Sequence, residues 1–245
     1  MTVLVAESGL GPAPAAAGEV FGAALPQVEA YAALLAGAGV ERGLLGPREA
    51  PRLWERHLLN CAGLTSLIED GQVVLDLGSG AGLPGVVLAL LRPEVQVVLV
   101  EPLQRRATFL TEVVEELGVR NVLVRRARGE ELHGKVEVDV VVARAVAPVD
   151  RLAGWALPLL HAGGRLLAMK GEQAATELAA AGPVLHRLGA SGSEVVEVGT
   201  DELGTLSRVV VVTRGLTQAQ PGSPTSRATP RPGGISSTSK RKNKR

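Results

Sequence analysis

A carboxylate followed by glycine at every second position is the part of this sequence best suited to chemistry. Asp76-Leu-Gly78-Ser-Gly80-Ala-Gly82 follows an apolar run and leads through Leu83-Pro84-Gly85 into another. Glycine has no Cβ, so such a loop lets the main chain turn sharply and approach a ligand closely. More charged groups stand where later apolar runs end. Glu101 follows residues 95–100, Arg128-Gly129-Glu130-Glu131 follows 122–126, Arg144 follows 138–143, and Lys170 closes 165–170. If these runs are parallel strands, all of these groups gather at their carboxyl ends, where open α/β sheets bind ligands.

Two cofactor classes use a loop of this kind. Dinucleotide enzymes need a pyrophosphate cradle of the form G-x-G-x-x-G. Gly80-x-Gly82-x-x-Gly85 fits that expression, but it begins two residues after the first turn glycine; counted from Gly78, the third position is Leu83. S-adenosylmethionine has no phosphate, and its loop reads D/E-x-G-x-G-x-G, which Asp76 to Gly82 satisfies in full. Glu101, 19 residues after Gly82, suits either cofactor, because a strand-end carboxylate accepts hydrogen bonds from both ribose hydroxyls. Glu130 and the backbone of Gly129 could border an adenine ring. Arg144, directly after a buried run, calls for a counter-charge or a ligand. A cofactor carboxylate, an RNA phosphate and a structural ion pair are all open to it.

The elements that must position these groups are legible as periodicity. Residues 19–36 carry Phe21, Leu25, Val28, Tyr31, Ala32 and Leu35 at helical spacing, and residues 51–67 carry Leu53, Trp54, Leu58, Cys61 and Leu64 in the same way. From Val73 onward strands and helices alternate: strands at 73–77, 95–100, 122–126, 138–143 and 165–170, helices at 86–91, 104–117, 152–160 and 172–181. Two strands in succession, 194–198 and 207–213, close the pattern. Strands apolar on both faces and separated by helices predict an α/β fold, a mostly parallel seven-stranded Rossmann-like sheet covered on both sides, with an antiparallel edge. The expected divisions are a disordered start at 1–17, an N-terminal helical extension at 18–70, the main domain at 71–215 and a disordered tail at 216–245.

Charge sharpens that division. The chain of 245 residues has a formal net charge of only +1, but residues 216–245 hold seven basic and no acidic side chains. The other 215 hold 19 basic and 25 acidic groups. An acidic body therefore carries a basic arm, able to add salt-sensitive attraction to a nucleic acid. A single cysteine, Cys61, excludes a disulfide framework, and the four histidines show no ligand spacing, so no metal site is expected. No signal peptide or membrane span is expected, which makes the cytoplasm the default location. Five aromatic residues leave little material for a base-stacking RNA platform.

Taken together, these segments resemble the bacterial small-subunit (16S) rRNA guanine-N7 methyltransferases, the glucose-inhibited division protein B family. The resemblance spans roughly residues 20–215. It rests on Trp54-Glu-Arg-His-Leu-Leu-Asn60, Asp76-Leu-Gly-Ser-Gly-Ala-Gly-Leu-Pro-Gly85, Glu101-Pro-Leu-Gln-Arg-Arg-Ala-Thr-Phe-Leu110, Arg128-Gly-Glu-Glu131, Ala143-Arg-Ala145 and Met169-Lys-Gly171. It implies a class I S-adenosylmethionine-dependent methyltransferase fold. It also implies cofactor contacts from Gly78, Leu83, Gly129, Glu130 and Arg144, with Glu101 near the ribose. The expected partner is 16S ribosomal RNA or the small ribosomal subunit, met by a monomer. Arg105, Arg106 and Lys170, at element ends beside the cofactor loop, are the expected RNA contacts. N7 of guanine carries a lone pair and no proton, so no catalytic acid or base is expected. The chain departs from the family pattern at Arg56-His-Leu-Leu-Asn-Cys61 and at Arg105-Arg106. The alternatives are an NAD-dependent oxidoreductase, a small-molecule methyltransferase and a non-catalytic RNA-binding protein on the same fold.

Overall fold

The computed structural model describes residues 9–200, 203 and 205–216. The basic arm, apart from Leu216, and the first eight residues lie outside them. Seven strands form one sheet: β1 (Val73–Leu77), β2 (Gln96–Val100), β3 (Val122–Arg125), β4 (Val138–Arg144), β5 (Leu160–Lys170), β6 (Ala190–Val198) and β7 (Ser207–Arg214). Their order is β3-β2-β1-β4-β5-β7-β6, with β1 to β5 parallel and β7 antiparallel to both of its neighbours. The closing hairpin forms the expected antiparallel edge, and its second strand inserts between β5 and β6.

Alternation along each strand sends side chains to two separate cores. Val74, Val97, Leu99, Val140, Val142 and Leu167 face one side, where they pack with buried residues from 17 to 117. Leu75, Leu77, Val141, Ala143, Leu166 and Ala168 face the other, against α6 (Val149–Ala156) and α7 (Ala174–Arg187). The first face is covered by α4 (Gly85–Leu91) and α5 (Gln104–Glu116), and by the N-terminal helices α1 (Ala15–Phe21), α2 (Leu25–Leu34) and α3 (Asn60–Ala62). The helical run Ala15–Gly39 is long and apolar enough, by length and composition, to cross a membrane. Here its Phe21, Val28, Tyr31, Ala32 and Leu35 are buried in the first core, which accounts for the apolar stripe.

Some boundaries differ from those expected. Helix α1 begins at Ala15 with Ala17 fully buried, and Trp54 Nε1 donates to the Gly11 carbonyl at 3.1 Å, so the ordered chain starts before residue 18. Helix α7 continues through Gly182-Pro183 to Arg187, because Ala181 and Leu185 are both buried against the sheet. Gly163 and Gly164 lie inside β5, at a register shift against β4, and not ahead of the strand. The helix expected over 51–67 is present but begins earlier, at Pro47, and its winding changes from 3-10 at Pro47–Arg52 to π at Leu53–Leu59.

Candidate functional site

The order β2-β1-β4 means that the chain leaves β1 toward one side of the sheet and β4 toward the other, which opens a crevice at their carboxyl ends. The glycine loop lies there. Gly78, Gly80 and Gly82 all have positive φ (76°, 59° and 102°), backbone geometry that L side chains rarely adopt. The loop is tied down on every side. Gly78 N and Ser79 N donate to the Val100 carbonyl at 2.9 and 3.1 Å, and Ser79 Oγ donates to the Asp76 carbonyl at 2.9 Å.

Helix α2 reaches the loop as well, since Tyr31 Oη donates to the Ala81 carbonyl at 2.8 Å. Tyr31 is the only tyrosine in the chain and is fully buried. A buried phenol needs a partner, and that was the one hint in the apolar stripe of a link to the loop. Tyr31→Phe is expected to lower stability by about 1 kcal/mol in urea unfolding and to weaken binding of S-adenosylhomocysteine, as the loop loses an anchor.

Asp76 is fully buried. Its Oδ2 accepts the Gly85 N–H at 2.9 Å, whereas Oδ1 has no hydrogen-bond partner among the described residues. Burial raises its pKa to about 7, outweighing the Gly85 hydrogen bond that opposes the shift. A buried carboxylate oxygen without a donor, next to bare main chain, suits a ligand that carries an ammonium group. The residues present thus fit the amino-acid part of S-adenosylmethionine. Along the same wall, a Cβ on Gly80 would meet nothing nearer than the Gly78 carbonyl at 3.9 Å, so that side of the loop is open.

Glu101 is 2% exposed and already joins two segments. Its Oε2 accepts Gly80 N at 3.0 Å and its Oε1 accepts Leu103 N at 2.9 Å. Each oxygen retains a second lone pair for a ribose hydroxyl. Gly129 opens a short 3-10 turn, Gly129–Leu132, and is buried because a Cβ there would fall 2.9 Å from Leu77 Cδ1. That fit brings the exposed Glu130 beside the end of β1. Leu83 is nearly buried at the far end of the loop.

Arg144 has no carboxylate partner among the described residues. Nη1 donates to the His57 carbonyl at 3.4 Å and to Cys61 Sγ at 3.3 Å, and Nη2 donates to the Arg56 carbonyl at 3.2 Å and to His57 Nδ1. Of the three partners that the sequence left open to it, the structural ion pair is absent among the described residues, and carbonyls, a ring nitrogen and a thiol from the N-terminal helices hold the guanidinium.

Lys170 has partners that the sequence did not indicate. Its Nζ donates to Glu177 Oε2 and to the Ala147 carbonyl, both at 2.7 Å, so within the protein the ammonium is paired with a carboxylate. Arg105 is exposed, while Arg106 lies 3.9 Å from Glu101 Oε2 and has a buried Nε without a partner among the described residues.

Between these groups lies an open cleft of about 990 Å³, walled by Glu49, Arg56, His57, Arg144, Lys170 and Arg208. It adjoins the glycine loop through Val146, whose Cγ2 would sit 3.0 Å from a Cβ on Gly78. Ala145, between Arg144 and Val146, holds φ 54°, a strained value for a residue with a side chain. Sequence reasoning missed Glu49 and His57 as site residues, and the spacing of the histidines gave no signal for them.

A family model described as rRNA small subunit methyltransferase G matches residues 24–204. The ribosomal RNA small subunit methyltransferase G of Thermobifida fusca is 54% identical over 221 residues, which cover 89% of this chain and 93% of that protein. Its counterpart in Streptomyces avermitilis is 55% identical over 207 residues, 84% of this chain and 87% of that one. Among solved structures, a SAM-dependent O-methyltransferase from Thermotoga maritima superposes with a TM-score of 0.51 at 16% identity, covering 65% of this chain and 66% of that one. That likeness bears on the fold alone.

Proposed function

The chain belongs to the rRNA small subunit methyltransferase G family, and from that premise we propose that it transfers a methyl group from S-adenosylmethionine to N7 of a guanine in 16S ribosomal RNA. The observation that carries the reading is the unpartnered Asp76 Oδ1, buried beside a glycine loop that is open at Gly80 and packs at Gly78 against Val146 on the wall of a large cleft. A nicotinamide cofactor would call for glycine at the position that Leu83 fills.

When bound, S-adenosylmethionine supplies a methyl group made electrophilic by its sulfonium. Asp76 would accept hydrogen bonds from the cofactor's ammonium. Gly78 to Gly82 would admit its chain against bare backbone, Glu101 would accept from the ribose, and Gly129 with Glu130 would border the adenine. The cleft beyond Val146 would receive a guanine turned out of its stack, at a cost of a few kcal/mol. Arg105, Arg106, Arg56, Arg208 and Lys170 are cations around this crevice that RNA phosphates could meet, the last three already paired with Glu49, Glu197 and Glu177. The lone pair at N7 lies in the plane of the base and carries no proton, so the reaction asks no side chain for proton transfer. What the protein supplies is alignment, which in well-oriented intramolecular reactions is worth on the order of 7–11 kcal/mol. We place this activity in the cytoplasm, where ribosomal subunits are assembled.

Incubation with methyl-labelled S-adenosylmethionine, with naked 16S RNA and separately with assembled small subunits, tests the proposal. Label is expected in at least one substrate, and nucleoside mass spectrometry is expected to find it as N7-methylguanosine. Label on another atom would refute the assignment of N7, and no label in either substrate would refute the reaction.

A further inference from the structure

We propose that Glu49 and His57 are positioning residues for methyl transfer, a carboxylate–imidazole relay that holds Arg144 at the boundary between glycine loop and cleft. The inference rests on the methyltransferase reading above and adds to it a mechanism by which the N-terminal helices act on the site.

The chemistry of the donors dictates the relay. A guanidinium only donates hydrogen bonds, so the His57 Nδ1 facing Arg144 Nη2 must present its lone pair. The ring proton then sits on Nε2, and Glu49 Oε2 is 2.7 Å from that nitrogen, placed to accept it. One arrangement satisfies all three groups: ionised Glu49, neutral His57 with its proton on Nε2, and Arg144 donating.

The helix geometry is built for this contact. Eight residues of unbroken α-helix would separate positions 49 and 57 by about 12 Å along the axis. The chain instead bends at Arg52 (φ −107°, ψ 5°), where 3-10 winding gives way to π winding.

Arg144 begins the loop that separates the two halves of the site. Val146 in that loop lies against Gly78, and the Ala147 carbonyl is held from the other side by Lys170. The loop is therefore held at three points, and the first of them along the chain, Arg144, depends on His57. A proton gained at Nδ1 would put two donors face to face and push Nη2 of Arg144 off the ring, leaving the guanidinium held only by the two carbonyls and the Cys61 thiol. The charged groups facing the ring are Glu49 and Arg56 on the N-terminal helices and Arg144 on β4. Burial and the Arg144 charge lower the pKa of His57 from its ordinary 6.5, while Glu49 pulls the other way. Cys61, the remaining side chain on Arg144, is pushed up by its burial and stays a neutral thiol.

Three measurements test the relay on the full-length protein. Nitrogen-15 NMR of the histidines should show one ring, absent in His57→Asn, with its proton on Nε2 and a titration midpoint below 6.5. With S-adenosylmethionine kept saturating across the pH range, so that the Asp76 titration drops out of the profile, kcat/KM for the RNA should fall on the acid side with the same midpoint, and Glu49→Gln should move that fall to lower pH by removing the charge that favours protonation. His57→Ala should cost roughly 10- to 100-fold in kcat/KM and weaken S-adenosylhomocysteine binding measured by calorimetry. His57→Asn, whose amide oxygen can replace Nδ1 as acceptor, should recover much of that loss without the acid-side fall. Wild-type kcat, KM and ligand affinity in His57→Ala, or an unchanged acid-side fall in His57→Asn, would overturn the relay while leaving the methyltransferase reading intact. No methyl incorporation by the wild-type protein would overturn that reading, and the relay with it.

Discussion

Gly82→Ala is expected to destabilise the protein by about 2–6 kcal/mol and to abolish measurable binding of S-adenosylhomocysteine. Two penalties add. A residue with a side chain held at φ 102° pays strain of about 1–3 kcal/mol. The new methyl group would also meet Val86 Cγ2 at 2.7 Å, Tyr31 Oη at 2.8 Å and Leu110 Cδ2 at 3.2 Å, and overpacking of a core costs about 1–3 kcal/mol. A protein with a typical margin of about 5–15 kcal/mol would lose a large part of it. Gly80→Ala provides the contrast. Its φ of 59° lies in the left-handed basin, where the cost is about 1–2 kcal/mol, and its Cβ would project into open space. That variant is expected to fold and to lose cofactor affinity, because the methyl group occupies the open side of the loop. Urea unfolding and calorimetric titration of both variants check the pair. Equal effects on stability would show that the two glycines do not divide the work in this way.

Asp76→Asn is expected to do the opposite to stability and the same to binding. In the folded protein the carboxyl titrates at about 7, against an ordinary value of 3.8. A raised pKa means that the folded state holds the proton more tightly than the unfolded chain. Asp76 therefore favours the folded state fully below the ordinary value, and that contribution is lost as pH rises through about 7. The whole effect amounts to roughly 4 kcal/mol. The Asn variant has no such proton, so it should be the more stable protein at pH 8, by less than that figure because its amide brings a donor of its own into the buried site. The difference should shrink and then reverse in favour of the wild type as pH is lowered toward 5. Binding should fall by roughly 10- to 150-fold, since hydrogen bonds to charged groups contribute about 1.5–3 kcal/mol. Wild-type affinity for S-adenosylhomocysteine should rise as pH passes upward through 7, and that of the variant should stay flat. Lower stability of the variant at pH 8 would mean that Oδ1 is satisfied within the folded protein.

Both predictions concern a loop that is legible in the sequence alone. Glycine at positions 78, 80 and 82 advertises positive φ, and Asp76 at the end of an apolar run advertises burial. These are properties of single residues and their immediate neighbours. The same holds for the strands and for the apolar stripes of the N-terminal helices, because periodicity of 2 or 3.6 is a local record of which side faces the core. Errors fell where local signals conflict with packing. Gly182-Pro183 reads as a stop, yet α7 runs on because Ala181 and Leu185 are buried on either side of it.

Side-chain partners across the site were a different matter. Arg144 was recognisable as a residue that needs a partner, and Lys170 as one of only two lysines before the basic arm. Which partner each takes depends on which segments the sheet order brings together. Arg144 meets His57 across 87 residues of chain, and Tyr31 meets Ala81 across 50. Lys170 lies only seven residues from Glu177, but the Ala147 carbonyl that shares its ammonium arrives from another loop.

The sequence by itself thus determined the fold class, the conformation of the glycine loop and the family, because these follow from local motifs, backbone conformation and periodicity. Only the tertiary structure decided that Lys170 is paired with a carboxylate inside the protein, that Asp76 keeps one oxygen unpaired, and that Glu49 and His57 stand behind Arg144. Hydrogen bonds and charge burial act over a few ångströms of space, and distance along the chain does not record them.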